Sequence, residues 1–324
     1  TELMKESEYS INLMRLNCDL INIKNTNPYL AGEQCLQQNW RAKFGRLWKN
    51  RKRIGKYISQ KIKYERYKAN PDKFVDFVVE FKPRKVEDFM IDDYRDVGKG
   101  VVYTAVFGGY DEIVDPMFVN PNLEYYAFTD SELPENGIWK KVDLSKFPQL
   151  EGLDSYHKAK YIKMFPYEFF PDADFSIWID GNVNLIADTY PVAIMSQGAA
   201  MATYSNPLHD CIYTEGRYMV YQGRVSAEKV KEQLDTYSKN GFPEHFGMRE
   251  FSIIYRDHKN EECYNMMKEW WRHVNTFTMR DQLSFSYILW KNGKTIDYIR
   301  NLGENWRMNP RFRQKEHHYQ VVHK

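Results

Sequence analysis

The chain has 324 residues, 43% of them hydrophobic and 28% charged, a balance that excludes disordered, collagen-like and low-complexity classes. Its net charge of +2 conceals a basic segment over residues 41–68, with 12 Lys/Arg against the single acid Glu65, so the remainder is net acidic. Apolar runs such as VVYTAVF (101–107) fall far short of the ~18 residues that a membrane-spanning helix needs. The four cysteines, Cys18, Cys35, Cys211 and Cys263, are widely spaced and form no C-x-x-C pair, and no N-x-Ser/Thr acceptor occurs. This argues against a disulfide framework or structural zinc site and for a reducing compartment.

Residues 1–98 read as a helical, basic N-terminal region. Leu3, Ile11, Met14 and Ile21 mark a first helix. Trp40, Phe44, Leu47, Trp48, Ile58 and Ile62 then recur at three- and four-residue steps among the basic charges, the pattern of an amphipathic helix with breaks at Gly45 and Gly55. Packing on a neighbouring domain, docking on an anionic membrane surface and nucleic-acid binding are its three readings, in that order; no nucleic-acid recognition module stands beside it. FVDFVVEF (74–81) fits strand or helix. From Gly98 and Gly100 onward, β-rich runs at 101–107, 124–130, 175–180, 199–205 and 250–256 alternate with helical patterns at 154–165, 226–239, 260–274 and 281–291. Such alternation predicts an α/β domain over residues 99–324.

The segment FSIWIDGNVNLI (175–186) carries the clearest chemistry. Asp180 ends an apolar strand, and in an open α/β sheet ligands bind beyond the carboxyl ends of strands. Asn182, two residues on, offers a second oxygen for a hard divalent cation, with Gly181 allowing a tight turn between them. VVYTAVFGGYD (101–111) runs a strand into Gly108-Gly109, a turn against which a flat group can lie. On the helix between these strands, Lys160 and Lys163 share a face and suit a diphosphate.

Together, VFGGYD (106–111), AKYIKM (159–164), FSIWIDGN (175–182), NPLHDCIY (206–213), REFSIIYRDH (249–258) and RDQLSFSY (280–287) make the chain resemble the glycosyltransferase-like domain family, found in plant Golgi proteins of mucilage and pectin assembly and in bacterial surface-polysaccharide loci. The resemblance covers residues 100–300. It implies a GT-A-like nucleotide-binding fold in which Asp180 and Asn182 take the place of a D-x-D motif, with Asn departing from the strict pattern and removing one charge. It further implies Phe107, Gly108 and Tyr110 at the nucleoside, Lys160 and Lys163 at the diphosphate, and Asp281, with Arg280 and Gln282, facing the transferred sugar. His317, or its neighbour His318, stands where many such enzymes supply a late metal ligand. Asp281 is the expected general base and Glu250 the second candidate.

The expected function is transfer of a hexose from a nucleotide sugar, UDP-linked by expectation, to a glycan or lipid-linked glycan acceptor, with Mn2+ or Mg2+ stabilising the leaving diphosphate. The alternative is a catalytically inactive sugar- or nucleotide-binding module of the same fold. The expected setting is the cytoplasmic, inner face of a bacterial membrane in polysaccharide assembly, or the Golgi lumen if the source is eukaryotic.

Overall fold

The computed structural model describes residues 5–25 and 82–315. The basic segment 41–68, the ambiguous run 74–81, and His317 and His318 lie outside them. Of the described residues, 5–14 and 91–315 belong to one compact unit and 15–25 with 82–90 to a second. In the second, Asn22 and Arg84 hold one another: Asn22 Nδ2 donates to the Arg84 carbonyl at 2.8 Å, and the Arg84 N–H to Asn22 Oδ1 at 2.9 Å. No helix among the described residues is long and apolar enough to cross a membrane.

In chain order the elements are α1 (Glu8–Lys24), β1 (Gly100–Val106), β2 (Leu123–Thr129), β3 (Lys140–Lys141), α2 (Ser155–Met164), α3 (Pro166–Phe169), β4 (Phe175–Ile179) and β5 (Val183–Leu185). There follow α4 (Tyr190–Ser196), β6 (Met201–Ser205), α5 (Ile212–Tyr221), α6 (Ala227–Lys239), β7 (Arg249–Asp257), α7 (Glu261–Thr276), α8 (Phe285–Lys291), β8 (Ile299–Asn301) and β9 (Phe312–Gln314). Seven strands form one sheet in the order β3-β2-β1-β4-β7-β6-β8, and β5 pairs with β9 in a small antiparallel sheet. Within the large sheet only β7 runs against its neighbours, β4 and β6. The fold is thus of the expected α/β class, with a parallel-rich sheet and helices on both of its faces.

The central strands β1, β4 and β7 are buried on both faces, which is why they read as nearly continuous apolar runs. Along β1, Tyr103 and Ala105 join one core with α2, α7 and α8, while Val102 joins the other with α4. Along β4, Trp178 faces the first core and Phe175, Ile177 and Ile179 the second. This alternation sets the site, because Asp180 continues the Trp178 side and therefore points toward α2.

One expected element changes character at its start. Residues Asp281–Leu283 form a single 3-10 turn, and the α-helix begins only at Phe285. Leu283 and Tyr287 are nonetheless buried, as the apolar spacing requires.

Candidate active site

The chain leaves β1 outward to β2 and β3 and returns to β4 on the other side of β1. The carboxyl ends of β1 and β4 therefore flank a topological switch point, where open α/β sheets form their ligand crevice. The turn after β1 contains Gly108 and Gly109 at φ of 66° and 63°, a left-handed conformation open to glycine at no steric cost. Its Gly108 N–H donates to both carboxylate oxygens of Asp130, just past the end of β2, at 3.0 and 2.9 Å. The turn after β4 is closed by a Val183 N–H to Asp180 carbonyl bond of 2.9 Å. These two turns press together: a Cβ on Gly181 would lie 2.5 Å from Val106 Cγ2 and 3.4 Å from Asp111 Oδ2.

Asp180 is about one-third exposed. Its Oδ1 accepts from Trp178 Nε1 at 2.7 Å and from Lys163 Nζ at 3.2 Å. Its Oδ2 makes no hydrogen bond among the described residues. Lys163 Nζ also donates to Asp281 Oδ2 at 2.9 Å, and Lys160 Nζ donates to the same oxygen at 2.6 Å. Two carboxylates and two ammonium groups thus form one continuous chain across the crevice, with Lys163 at its centre. The Trp178 ring lies 5.6 Å from the Lys163 ammonium and the Tyr156 ring 5.5 Å from that of Lys160, which adds cation–π stabilisation to both.

Burial opposes ionisation of Asp281, but the charges of Lys160, Lys163 and Arg280 outweigh it and hold the carboxyl far below the usual carboxylate range. Arg280 also lies close enough for its charge to act on Tyr110, whose phenol is nonetheless pushed up, by burial first and then by Asp111. The Arg280 Nε has no hydrogen-bond partner among the described residues. Within this cluster three cations, Lys160, Lys163 and Arg280, stand against the two carboxylates Asp180 and Asp281, an excess suited to a diphosphate, while Asp111 and Asp130 lie at the adjoining turns.

Not every expected residue joins this cluster. Gln282 is at its border, its backbone N–H donating to Asp281 Oδ1 at 3.1 Å and its Oε1 accepting from Arg280 Nη2 at 3.4 Å. Phe107 is buried in the core at the end of β1 rather than exposed along the crevice. Asn182 is buried, and its carbonyl accepts from the Lys315 N–H at 2.9 Å. Glu250, also at this edge, is engaged elsewhere: Arg307 grips it with two hydrogen bonds of 2.9 Å, and Ser252 Oγ donates to it at 3.1 Å. Among the described residues no group of three His, Cys, Asp or Glu side chains converges as a metal site.

A further pair was not singled out from the sequence. β6 runs parallel to β4, so its carboxyl end opens on the same edge of the sheet. In the following loop, His209 Nδ1 lies 2.6 Å from Glu215 Oε2. The loop is shaped around this imidazole, since Asn206 Oδ1 accepts from the backbone N–H groups of Leu208 and His209 at 2.9 and 3.1 Å. Glu215 is buried on α5, whose first residue, Ile212, packs in one cluster with Leu283 of the Asp281 turn. A carboxylate at Nδ1 fixes the tautomer and leaves Nε2 as an acceptor. The stretch NPLHDCIY contains the histidine, yet a six-residue spacing between the partners follows no helical or strand period.

Comparison with known proteins bears on the family of the chain. Over 217 residues the chain is 26% identical to the probable hexosyltransferase MUCI70 of Arabidopsis thaliana, covering 58% of this chain and 36% of the relative, so it spans little more than a third of that protein's length. Because this relative is a plant protein, the expected setting at the inner face of a bacterial membrane is overturned. Among solved structures, the apo form of the bifunctional glycosyltransferase WbbM is 14% identical with a TM-score of 0.38, over 61% of this chain and 38% of that one. The galactosyltransferase LgtC, in complex with donor and acceptor sugar analogs, is 12% identical with a TM-score of 0.31, over 59% and 69%. The mannosyltransferase Ktr4p of S. cerevisiae is 11% identical with a TM-score of 0.28, over 56% and 62%. These are distant likenesses and decide neither substrate nor mechanism. The model of the TOD1/MUCI70 glycosyltransferase-like domain matches residues 43–317, reaching into the N-terminal region that the sequence motifs leave out. On the strength of that match, which spans most of the chain, this protein belongs to the TOD1/MUCI70 glycosyltransferase-like domain family.

Proposed function

We propose that the chain is a hexosyltransferase that takes a nucleotide sugar, with UDP as the favoured nucleotide, and passes its sugar to a glycan acceptor. The observation that carries this reading is the Asp180–Lys163–Asp281–Lys160 chain at the β1/β4 switch point, with Arg280 beside it and one carboxylate oxygen left uncommitted. Breaking the bond between the sugar and the diphosphate builds negative charge on the leaving phosphate. Fixed cations aimed at that charge stabilise the transition state more than the ground state. Lys160 and Arg280 meet the diphosphate directly. Lys163, almost fully buried, holds Asp180 and Asp281 in register.

The residues present also fit a divalent cation, because Mg2+ is commonly held by one or two carboxylates together with substrate phosphates. Asp180, through its free Oδ2, is the residue that would hold it, and such a cation would add Lewis-acid stabilisation of the leaving phosphate.

Asp281 is unsuited to the role of base. A carboxylate pinned in its ionised form by three cations is a weak proton acceptor. Glu250 would first have to leave Arg307. His209, with Nε2 unengaged among the described residues and Nδ1 oriented by Glu215, is the better acceptor-side base. Asp281 is then a positioning residue for the two lysines.

A panel of nucleotide sugars, with and without glycan acceptors, tests the proposal through release of nucleoside diphosphate and transfer of sugar. Asp180→Ala is expected to lower transfer by about a hundredfold or more. Donor binding without any release of diphosphate across the panel would favour the inactive binding module instead.

A further inference from the structure

Arg256 is completely buried, yet it forms no ion pair among the described residues. Its only hydrogen bond there runs from Nη1 to the Tyr103 hydroxyl at 3.2 Å, while Nε and Nη2 have no partner. A buried charge without compensation is among the most costly things a fold can contain, and arginine cannot escape by losing its proton.

The groups around it make the deficit worse. Ser176 stands directly opposite Arg256 in the β4–β7 register, and its hydroxyl is buried without a partner. The Tyr167 hydroxyl on α3 is in the same condition. Tyr103, Tyr167 and Cys263 are each pushed up, burial being the largest cause, so phenols and thiol stay neutral. Burial likewise lowers His258 to about 4, so it too is neutral near pH 7. One positive charge therefore remains, and Arg256 Nε and Nη2 with the Ser176 and Tyr167 hydroxyls have no hydrogen-bond partner among the described residues; the imidazole Nε2 of His258, also without a partner, is neutral and cannot balance the charge. Water would satisfy the donors but not the charge.

We propose that Arg256, Tyr167 and Ser176 bind a small monovalent anion of the halide type inside the domain. The site sits behind the crevice rather than in it. Tyr103, which accepts from Arg256, donates its own hydroxyl to the Lys163 carbonyl at 3.0 Å. The bound anion thus supports the backbone of the lysine that links Asp180 to Asp281.

The test is independent of any transferase activity. Thermal unfolding is followed at constant ionic strength in sodium bromide and in sodium gluconate, whose anion is much larger than a halide, and crystals grown in bromide are measured at its absorption edge. The expected result is an anomalous peak within hydrogen-bond distance of Arg256, and a midpoint about 3 °C higher in bromide than in gluconate. Tyr167→Phe and Ser176→Ala, which retain the arginine, should each shrink that difference, and Arg256→Met should abolish it. Equal midpoints in the two salts with no anomalous peak would overturn the proposal, leaving ordered water as the only occupant.

Discussion

Asp281 receives two ammonium groups on one oxygen, from Lys160 at 2.6 Å and Lys163 at 2.9 Å, and lies more than a hundred residues from both. The sequence revealed that each of the three suits the crevice, but not that they bind one another, because pairing across such separations is set by the sheet topology. Asp281→Asn preserves shape and removes the charge, so the lysines are left to repel each other. Breaking a buried pair in this way costs about 3 kcal/mol, which urea unfolding measures, and turnover should fall at least about tenfold. Near-normal turnover would reduce Asp281 to a cap for its own turn. Its depressed carboxyl also fixes a pH sign: the stabilisation is fully present above the unfolded value of about 3.9 and is lost only as pH falls through the much lower folded value. No acid limb of the rate profile between about pH 4 and 7 should therefore come from Asp281. His209→Ala should lower sugar transfer by about a hundredfold or more with donor binding kept, and Glu215→Gln, which keeps a hydrogen-bond acceptor at Nδ1, should show a smaller loss. Unchanged transfer in His209→Ala would remove the imidazole from the chemistry.

The turn after β4 shows what an element can and cannot announce about itself. FSIWI reads as a strand because all five residues are buried, and Asp180 reads as a ligand because it ends that strand before a glycine. The central strands were legible for the same reason. The edge elements were not: β3, β5, β8 and β9 have only two or three residues each, too short for a period to declare itself. Gly181 was expected for its flexibility, whereas the structure requires it for its size. With Val106 Cγ2 only 2.5 Å from where a Cβ would stand, Gly181→Ala must push the β1 and β4 turns apart. Overpacking of this kind costs about 1–3 kcal/mol, and Asp180 sits one residue away. The variant should remain folded, unfold at lower urea, and lose donor affinity; unchanged donor affinity would mean that the two turns do not shape the site together.

At the scale of the whole molecule, residues far apart in sequence are joined by a buried ion pair. Glu6 and Arg311 meet through both carboxylate oxygens, with Oε2 accepting from Nη2 at 2.8 Å, and their side chains are 3% and 1% exposed. The network is fully satisfied around them. Ser10 Oγ donates to Glu6 at 2.8 Å and accepts from the Asp188 N–H at 2.9 Å, while Arg311 donates to the Asp188 carbonyl at 3.0 Å. Asp188 in turn accepts from Tyr94 at 2.5 Å and from Asn120 at 3.1 and 3.0 Å. Nothing in the sequence pattern marks Glu6, an acid in a polar stretch, as a core residue. Arg311 immediately precedes β9, which pairs with β5 just beyond the Asp180 turn, so the pair anchors the strand that backs the site. Glu6→Ala should destabilise the unit by about 3–5 kcal/mol, because it strands a buried guanidinium, and Arg311→Met should cost less, since the carboxylate can be protonated. The double variant should recover part of the loss, giving a clear coupling energy in a double-mutant cycle of urea unfolding. Strictly additive effects would show that the two charges are stabilised separately and that the N-terminal segment is not held by this pair.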